Sequence, residues 1–282
     1  MKIDDKVVYS CLRCNLNFKT IHIMSKPILL SLFIGLVFSF LSCKDTSTED
    51  HQDHWQSLFN GKDLSGWLPK IRGEALGKDS LNTFQVKNGA IVVNYDNYEK
   101  FDNRFGHLFY KAPFSDYRLK LKYRFVGEQA PGGEGWGFKN SGIMLHCQDP
   151  KSMSINQPFP NSLEAQFLGG IVDTVPRPTG NLCTPGTHVN MNGKQIIEHC
   201  ITADAPTIYG EEWVDVEVEV YGDSLIRHYI NGKPAITYTN PVYDTPEDSL
   251  NHLKPVKSGY ISLQSESHPI EFKEIKYLAL KP

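Results

Sequence analysis

The sequence has little helical periodicity and lacks the short motifs of several common chemistries. No Gly-x-Ser-x-Gly elbow, no His-Glu-x-x-His pair and no phosphate-binding loop occurs in its 282 residues. The glycine-rich piece Gly132-Gly133-Glu134-Gly135-Trp136-Gly137 neither follows a buried strand nor opens a helix. It reads as an open loop, which sets aside dinucleotide binding. Basic charge is in short supply as well. There are 29 Lys and Arg against 32 Asp and Glu, with no basic stripe, so nucleic acid is not an expected partner. Cysteines number six, and the Cys11/Cys14 pair has no second pair near it to complete a zinc site.

What is present begins with an address. Lys26 precedes an apolar run from Pro27 to Leu41, and Leu41-Ser42-Cys43 closes it. The run is short for a bilayer crossing, which takes ~20 residues. A basic head, an apolar stretch and a small residue before cysteine form a secretory signal, with Cys43 acylated as in bacterial lipoproteins. Residues 1–23 then read as an upstream extension, 24–42 as the signal peptide and 43–54 as a polar, disordered tether. The expected location is the cell envelope, lipid-anchored on the periplasmic or the surface face of the outer membrane. Without residues 1–43 the chain carries 24 basic and 30 acidic side chains. Of the cysteines left beyond the anchor, Cys183 and Cys200 both lie in loop-like sequence and are the first choice for a disulfide, leaving Cys147.

Residues 55–282 are expected to form a single domain. Strand patterns recur at Thr83–Val86, Ala90–Val93, His107–Tyr110, Tyr117–Phe125, Gly142–Gln148, Leu163–Leu168, Trp213–Tyr221, Leu225–Ile230, Ile236–Tyr238, Gly259–Gln264 and Ile270–Leu280. Lys87-Asn88-Gly89, Tyr221-Gly222-Asp223-Ser224 and Asn231-Gly232-Lys233-Pro234 supply hairpin turns. Many short alternating strands argue for an all-β sandwich or jelly roll. The Pro-, Asn- and Gly-rich region between Gln148 and Trp213 reads as strand-poor, and loops of that length tend to be functional.

Alternation puts Met144, His146 and Gln148 on one face of their strand, and Glu164 with Gln166 on one face of theirs. If the strands are neighbours, His146, Glu164 and Gln166 share a polar patch, where a carboxylate beside an imidazole makes a tunable base. The alternative is a hydrogen-bonded outer face without catalytic use. Asp215, Glu217 and Glu219 form a second carboxylate row, read as a solvated face. His188 and His199 with a carboxylate are a candidate set for a divalent metal, although no helical or strand spacing supports it. Trp55 and Trp67 are expected to pack, and Trp136, among glycines, is the best candidate for stacking on a sugar.

The opening Trp55-Gln56-Ser57-Leu58-Phe59-Asn60-Gly61-Lys62-Asp63-Leu64-Ser65-Gly66-Trp67 closely resembles that of the 3-keto-disaccharide hydrolase family. Asn140-Ser141-Gly142-Ile143, Leu163-Glu164-Ala165-Gln166, Thr179-Gly180-Asn181, Tyr229-Ile230-Asn231-Gly232 and Gly259-Tyr260-Ile261-Ser262-Leu263-Gln264 follow in order. The resemblance implies a concanavalin A-like jelly roll that cleaves 3-keto-glucosides. A base removes the C2 proton, the C1 substituent leaves, and water then adds. It implies Glu164 or His146 as the base, with the other orienting or donating. Asn140, Gln166 and His188 become contacts to hydroxyls or the enolate oxygen, with Trp136, Thr179 and Asn181 completing the substrate-binding set. The expected partner is an oxidised glucoside or oligosaccharide; no cofactor is firmly implied. The runner-up is a non-catalytic carbohydrate-binding lipoprotein.

Overall fold

Strict alternation in Val214–Tyr221 sets the pattern of the domain. Val214, Val216, Val218 and Val220 are buried, while the acids between them are partly or fully exposed. Asp116–Phe125 repeats this with Tyr117, Leu119, Leu121, Tyr123 and Phe125 inward. The two strands pair antiparallel over their whole length, Val214 opposite Tyr123 and Tyr221 opposite Asp116. A sheet with one apolar face is stable only against a second layer. That layer is present in the computed structural model, which describes residues 54–245, 250 and 252–281. The expected lipidation site Cys43, the expected signal, most of the expected tether and the Cys11/Cys14 pair lie outside the described residues.

In chain order the strands are β1 (Gln56–Ser57), β2 (Trp67–Ile71), β3 (Phe84–Lys87), β4 (Ala90–Val93), β5 (Gly106–Tyr110), β6 (Asp116–Phe125), β7 (Asn140–Cys147), β8 (Leu163–Leu168), β9 (Asn181–Cys183), β10 (Thr187–Met191), β11 (Lys194–Ile196), β12 (Cys200–Ile201), β13 (Val214–Tyr221), β14 (Leu225–Ile230), β15 (Lys233–Tyr243), β16 (Tyr260–Ser265) and β17 (Ile270–Ala279). The larger sheet runs β11-β10-β15-β14-β13-β6-β17-β4-β3, with β1 on β17. The smaller runs β12-β9-β8-β7-β16-β5-β2. The chain crosses repeatedly between the two, which is the jelly-roll sandwich expected of the sequence. One apolar cluster fills the space between sheets, with Leu119, Tyr123 and Val216 from the larger and Ile143, Ala165, Phe167 and Leu263 from the smaller.

Most expected strands start and stop within a residue or two of the observed ones, and Ile236–Tyr238 is the middle of the longer β15. The region read as strand-poor is corrected: besides β8 it contains β9 to β12, of which β9, β11 and β12 are two or three residues long and too short to show a period of two. Cys183 and Cys200 are opposite each other on β9 and β12 and are disulfide-bonded, leaving Cys147 free and buried. Among the described residues no helix is long and apolar enough to cross a membrane.

Candidate active site

The register of β7 and β8 builds the site. Met144 is opposite Glu164, Gly142 opposite Gln166 and Asn140 opposite Leu168. Their neighbours Ile143, Leu145, Ala165 and Phe167 belong to the inter-sheet core, so these residues occupy the face turned away from it. There, Glu164, Gln166 and Asn140 line a cleft of about 770 Å³ with Trp136, Phe159, Arg177, His199 and Glu266. Gly142 makes room for the carboxyl. A Cβ on it would fall 2.5 Å from Glu164 Oε1 and 2.8 Å from its Cγ, so the Glu164 side chain lies back over the β7 backbone.

Glu164 and Glu266 are 6% and 5% exposed. Burial raises the Glu164 pKa above the ordinary carboxylate value, with the neighbouring Gln264 amide working the other way. Glu266 is held further up by burial and by the charge of Glu164, against the pull of Arg177. Two carboxyls this dry, each opposing the other's charge, keep their protons to higher pH than exposed carboxyls do. Glu164 Oε1, Glu266 Oε2 and Asn140 Oδ1, all of cleft-lining residues, are buried without a hydrogen-bond partner in the protein. Buried polar atoms normally have partners, so these exceptions in one cleft suit a polar ligand. Arg177 ties the walls together: Nη1 donates to the Lys139 and Gly169 carbonyls at 2.9 and 2.7 Å.

His146 is a correction. Ser262 pairs with Met144 but Tyr260 pairs with Cys147, so β7 has one residue more than its partner between these points. The bulge puts His146 at φ +49° and turns it inward. Its Nε2 sits 3.0 Å from the Gly222 carbonyl of the β13–β14 turn, and its ring meets Tyr117 edge-on. Gly259 permits the bulge, since a Cβ there would lie 2.3 Å from the His146 carbonyl carbon. His146 and Glu164 therefore do not share a polar patch.

Three other expected contacts also move. Thr179 is fully buried, its hydroxyl 2.7 Å from Tyr123 Oη and accepting from the Leu168 amide at 3.2 Å. Asn181 spends its side chain on protein, donating to Gln166 Oε1 at 3.1 Å and accepting from the Ala203 amide at 2.9 Å. It braces Gln166 from behind. His188 belongs to the larger sheet, its Nε2 3.2 Å from Asp244 Oδ1, while His199 lines the cleft. Among the described residues no group of three or more His, Cys, Asp or Glu is placed to hold a metal ion.

Trp136 is 51% exposed at the cleft, stacked on Phe105 at 5.8 Å. Trp67 is buried, its Nε1 donating to Leu58 O at 3.0 Å, and Trp55 lies beneath Lys120. Asp215, Glu217 and Glu219 face Lys122, Arg118 and Arg227 at 3.4, 2.6 and 3.2 Å. That row is an ion-paired outer face on the other sheet. Glu266 and Arg177 escaped the sequence reading. The signal for Glu266 was the polar run Gln264-Ser265-Glu266-Ser267-His268 closing an apolar strand; Arg177, in a Pro-rich loop, had none.

An antiparallel sandwich with a carboxyl-bearing cleft on one sheet gives the class: an all-β jelly-roll protein with a cleft suited to a polar ligand. The chain belongs to the family described as the 3-keto-alpha-glucoside-1,2-lyase-like domain, which matches residues 54–277. No curated protein matches the sequence significantly. Among solved structures, a protein from Parabacteroides distasonis ATCC 8503 provisionally named a glycosyl hydrolase is 18% identical. Its TM-score is 0.46, over 80% of this chain and 94% of that one. The Bacillus licheniformis β-glucanase is 10% identical with a TM-score of 0.44, over 81% and 98%. The carbohydrate-binding module CBM66 of Bacillus subtilis is likewise 10% identical at 0.44, over 76% and 96%.

Proposed function

We propose that the protein cleaves 3-keto-glucosides by elimination and rehydration, in the cell envelope, held there by lipid on Cys43. The observation that carries this reading is the buried Glu164–Glu266 pair in the cleft. A C3 carbonyl acidifies the C2 proton, and one carboxylate of the pair removes it. The electrons form the C1–C2 double bond, the C1–O bond breaks, and the other carboxyl protonates the departing oxygen. Water then adds across the double bond, giving net hydrolysis. Because Glu266 is held further up than Glu164, the pair passes through a state with Glu164 ionised and Glu266 still protonated, which supplies base and acid at once. We assign Glu164 as the base and Glu266 as the acid, with Asn140 and Gln166 gripping ring hydroxyls and Arg177 positioning the walls.

In heavy water, deuterium is expected at C2 of the 3-keto sugar product, and Glu164→Gln is expected to lower turnover ~10²–10⁴-fold. Full turnover by that variant would remove Glu164 as the base. Glycan binding without turnover of any oxidised glucoside would leave the binding-only reading.

A further inference from the structure

The cleft is lined by two unlike sets of side chains. Asn140, Gln166 and the two carboxyls are the polar set. Phe159, Trp136, Ile171 and Val175 form an apolar wall, where only the indole N–H of Trp136 among these side chains offers a hydrogen bond. Trp136, Ile171 and Val175 are 51%, 55% and 57% exposed. Single exposed apolar side chains are ordinary, but a wall of them continuous with a carboxyl-bearing floor is a binding feature. Trp136, Ile171 and Val175 sit on the two loops that Arg177 clamps through the Lys139 and Gly169 carbonyls, and Phe159 sits on the β7–β8 connection.

We infer that this wall is the leaving-group subsite and that it favours aromatic or otherwise apolar aglycones over a second sugar. The inference rests on the 3-keto-glucoside reading above. The floor grips the oxidised ring, so the C1 substituent extends toward the wall. A second hexose would set hydroxyls against Ile171, Val175 and Phe159, whose side chains offer no hydrogen bond. Each buried hydroxyl left unpartnered costs ~10–100-fold in affinity. An aryl group loses no hydrogen bond there and can stack on Trp136 or Phe159. In the elimination step such an aglycone leaves as a phenol, its oxygen taking the proton from the acidic carboxyl.

The test compares kcat/KM of the full chain on two 3-keto-glucosides of one anomeric configuration, carrying phenol or glucose as leaving group. The phenyl compound is expected to be preferred by about tenfold or more. Val175→Asp is expected to lower that preference about tenfold. Equal rates, preference for the disaccharide, or an unchanged ratio in the variant would overturn the inference. If neither compound is turned over, the catalytic reading fails on its own. Calorimetry with unoxidised phenyl and methyl glucoside then decides the wall, and equal affinities would overturn it. A dimer of the full chain that Val175→Asp dissolves would assign the wall to a second copy and equally overturn it.

Discussion

Replacing Glu164 by Gln should make the protein less active and, at alkaline pH, more stable. In the unfolded chain this carboxyl titrates near its ordinary value of 4.5, and in the fold burial raises it. Between the two values the native state holds one proton more than the unfolded state. Stability therefore falls as pH rises from the unfolded value to the folded one, by about 1.4 kcal/mol per pH unit for one group. In a domain of this size each kcal/mol is worth about 2–4 °C in Tm. The variant should thus gain about 3–6 °C on the wild type for each pH unit above roughly pH 5, until Glu164 ionises in place. Below pH 4 the carboxyl is neutral in both states and the gap should be constant. Thermal unfolding of both proteins from about pH 3 to 8.5, followed by circular dichroism, measures this. Burying the Gln amide adds an offset but no slope. Parallel curves, or a variant that loses ground as pH rises, would refute the buried carboxyl of raised pKa that the mechanism uses as its base.

Gly142→Ala should push the Glu164 carboxyl from its seat, since the added Cβ meets Oε1 at 2.5 Å. Turnover should fall about a hundredfold, with about 1–3 kcal/mol lost from overpacking, read from kinetics and denaturant unfolding on the same sample. His146→Asn, which tolerates the left-handed backbone, should cost about 1–3 kcal/mol while keeping kcat within about twofold. Loss of C2 exchange in that variant would return His146 to the chemistry. Reducing Cys183–Cys200, which closes a loop of 17 residues, should cost about 3 kcal/mol and lower Tm by roughly 6–12 °C; calorimetry with and without dithiothreitol checks it. In cells, labelled palmitate should enter the wild type and not Cys43→Ala, and equal labelling of both would reject the anchor.

The strands, their turns and the sandwich were legible in the sequence because alternation at a period of two depends on nothing beyond neighbouring residues. Val214–Val220 and Tyr117–Phe125 carry their inward faces in plain sight. The same rule placed Glu164 and Gln166 on one face, and the register of β7 and β8 brought Asn140 to them. It failed at His146, where one extra residue against Tyr260–Ser262 reverses the face. A bulge is a property of two strands together, and one strand's sequence does not contain it. Tertiary packing alone decided that Glu266, 102 positions beyond Glu164, joins it in the same dry cleft. Packing also turned Thr179 to Tyr123, and Asn181 to Gln166 from behind. Pairing of distant carboxyls and their loss of solvent arise only when the sheets close and the loops cover them. The sequence names the acids, and burial gives them their proton.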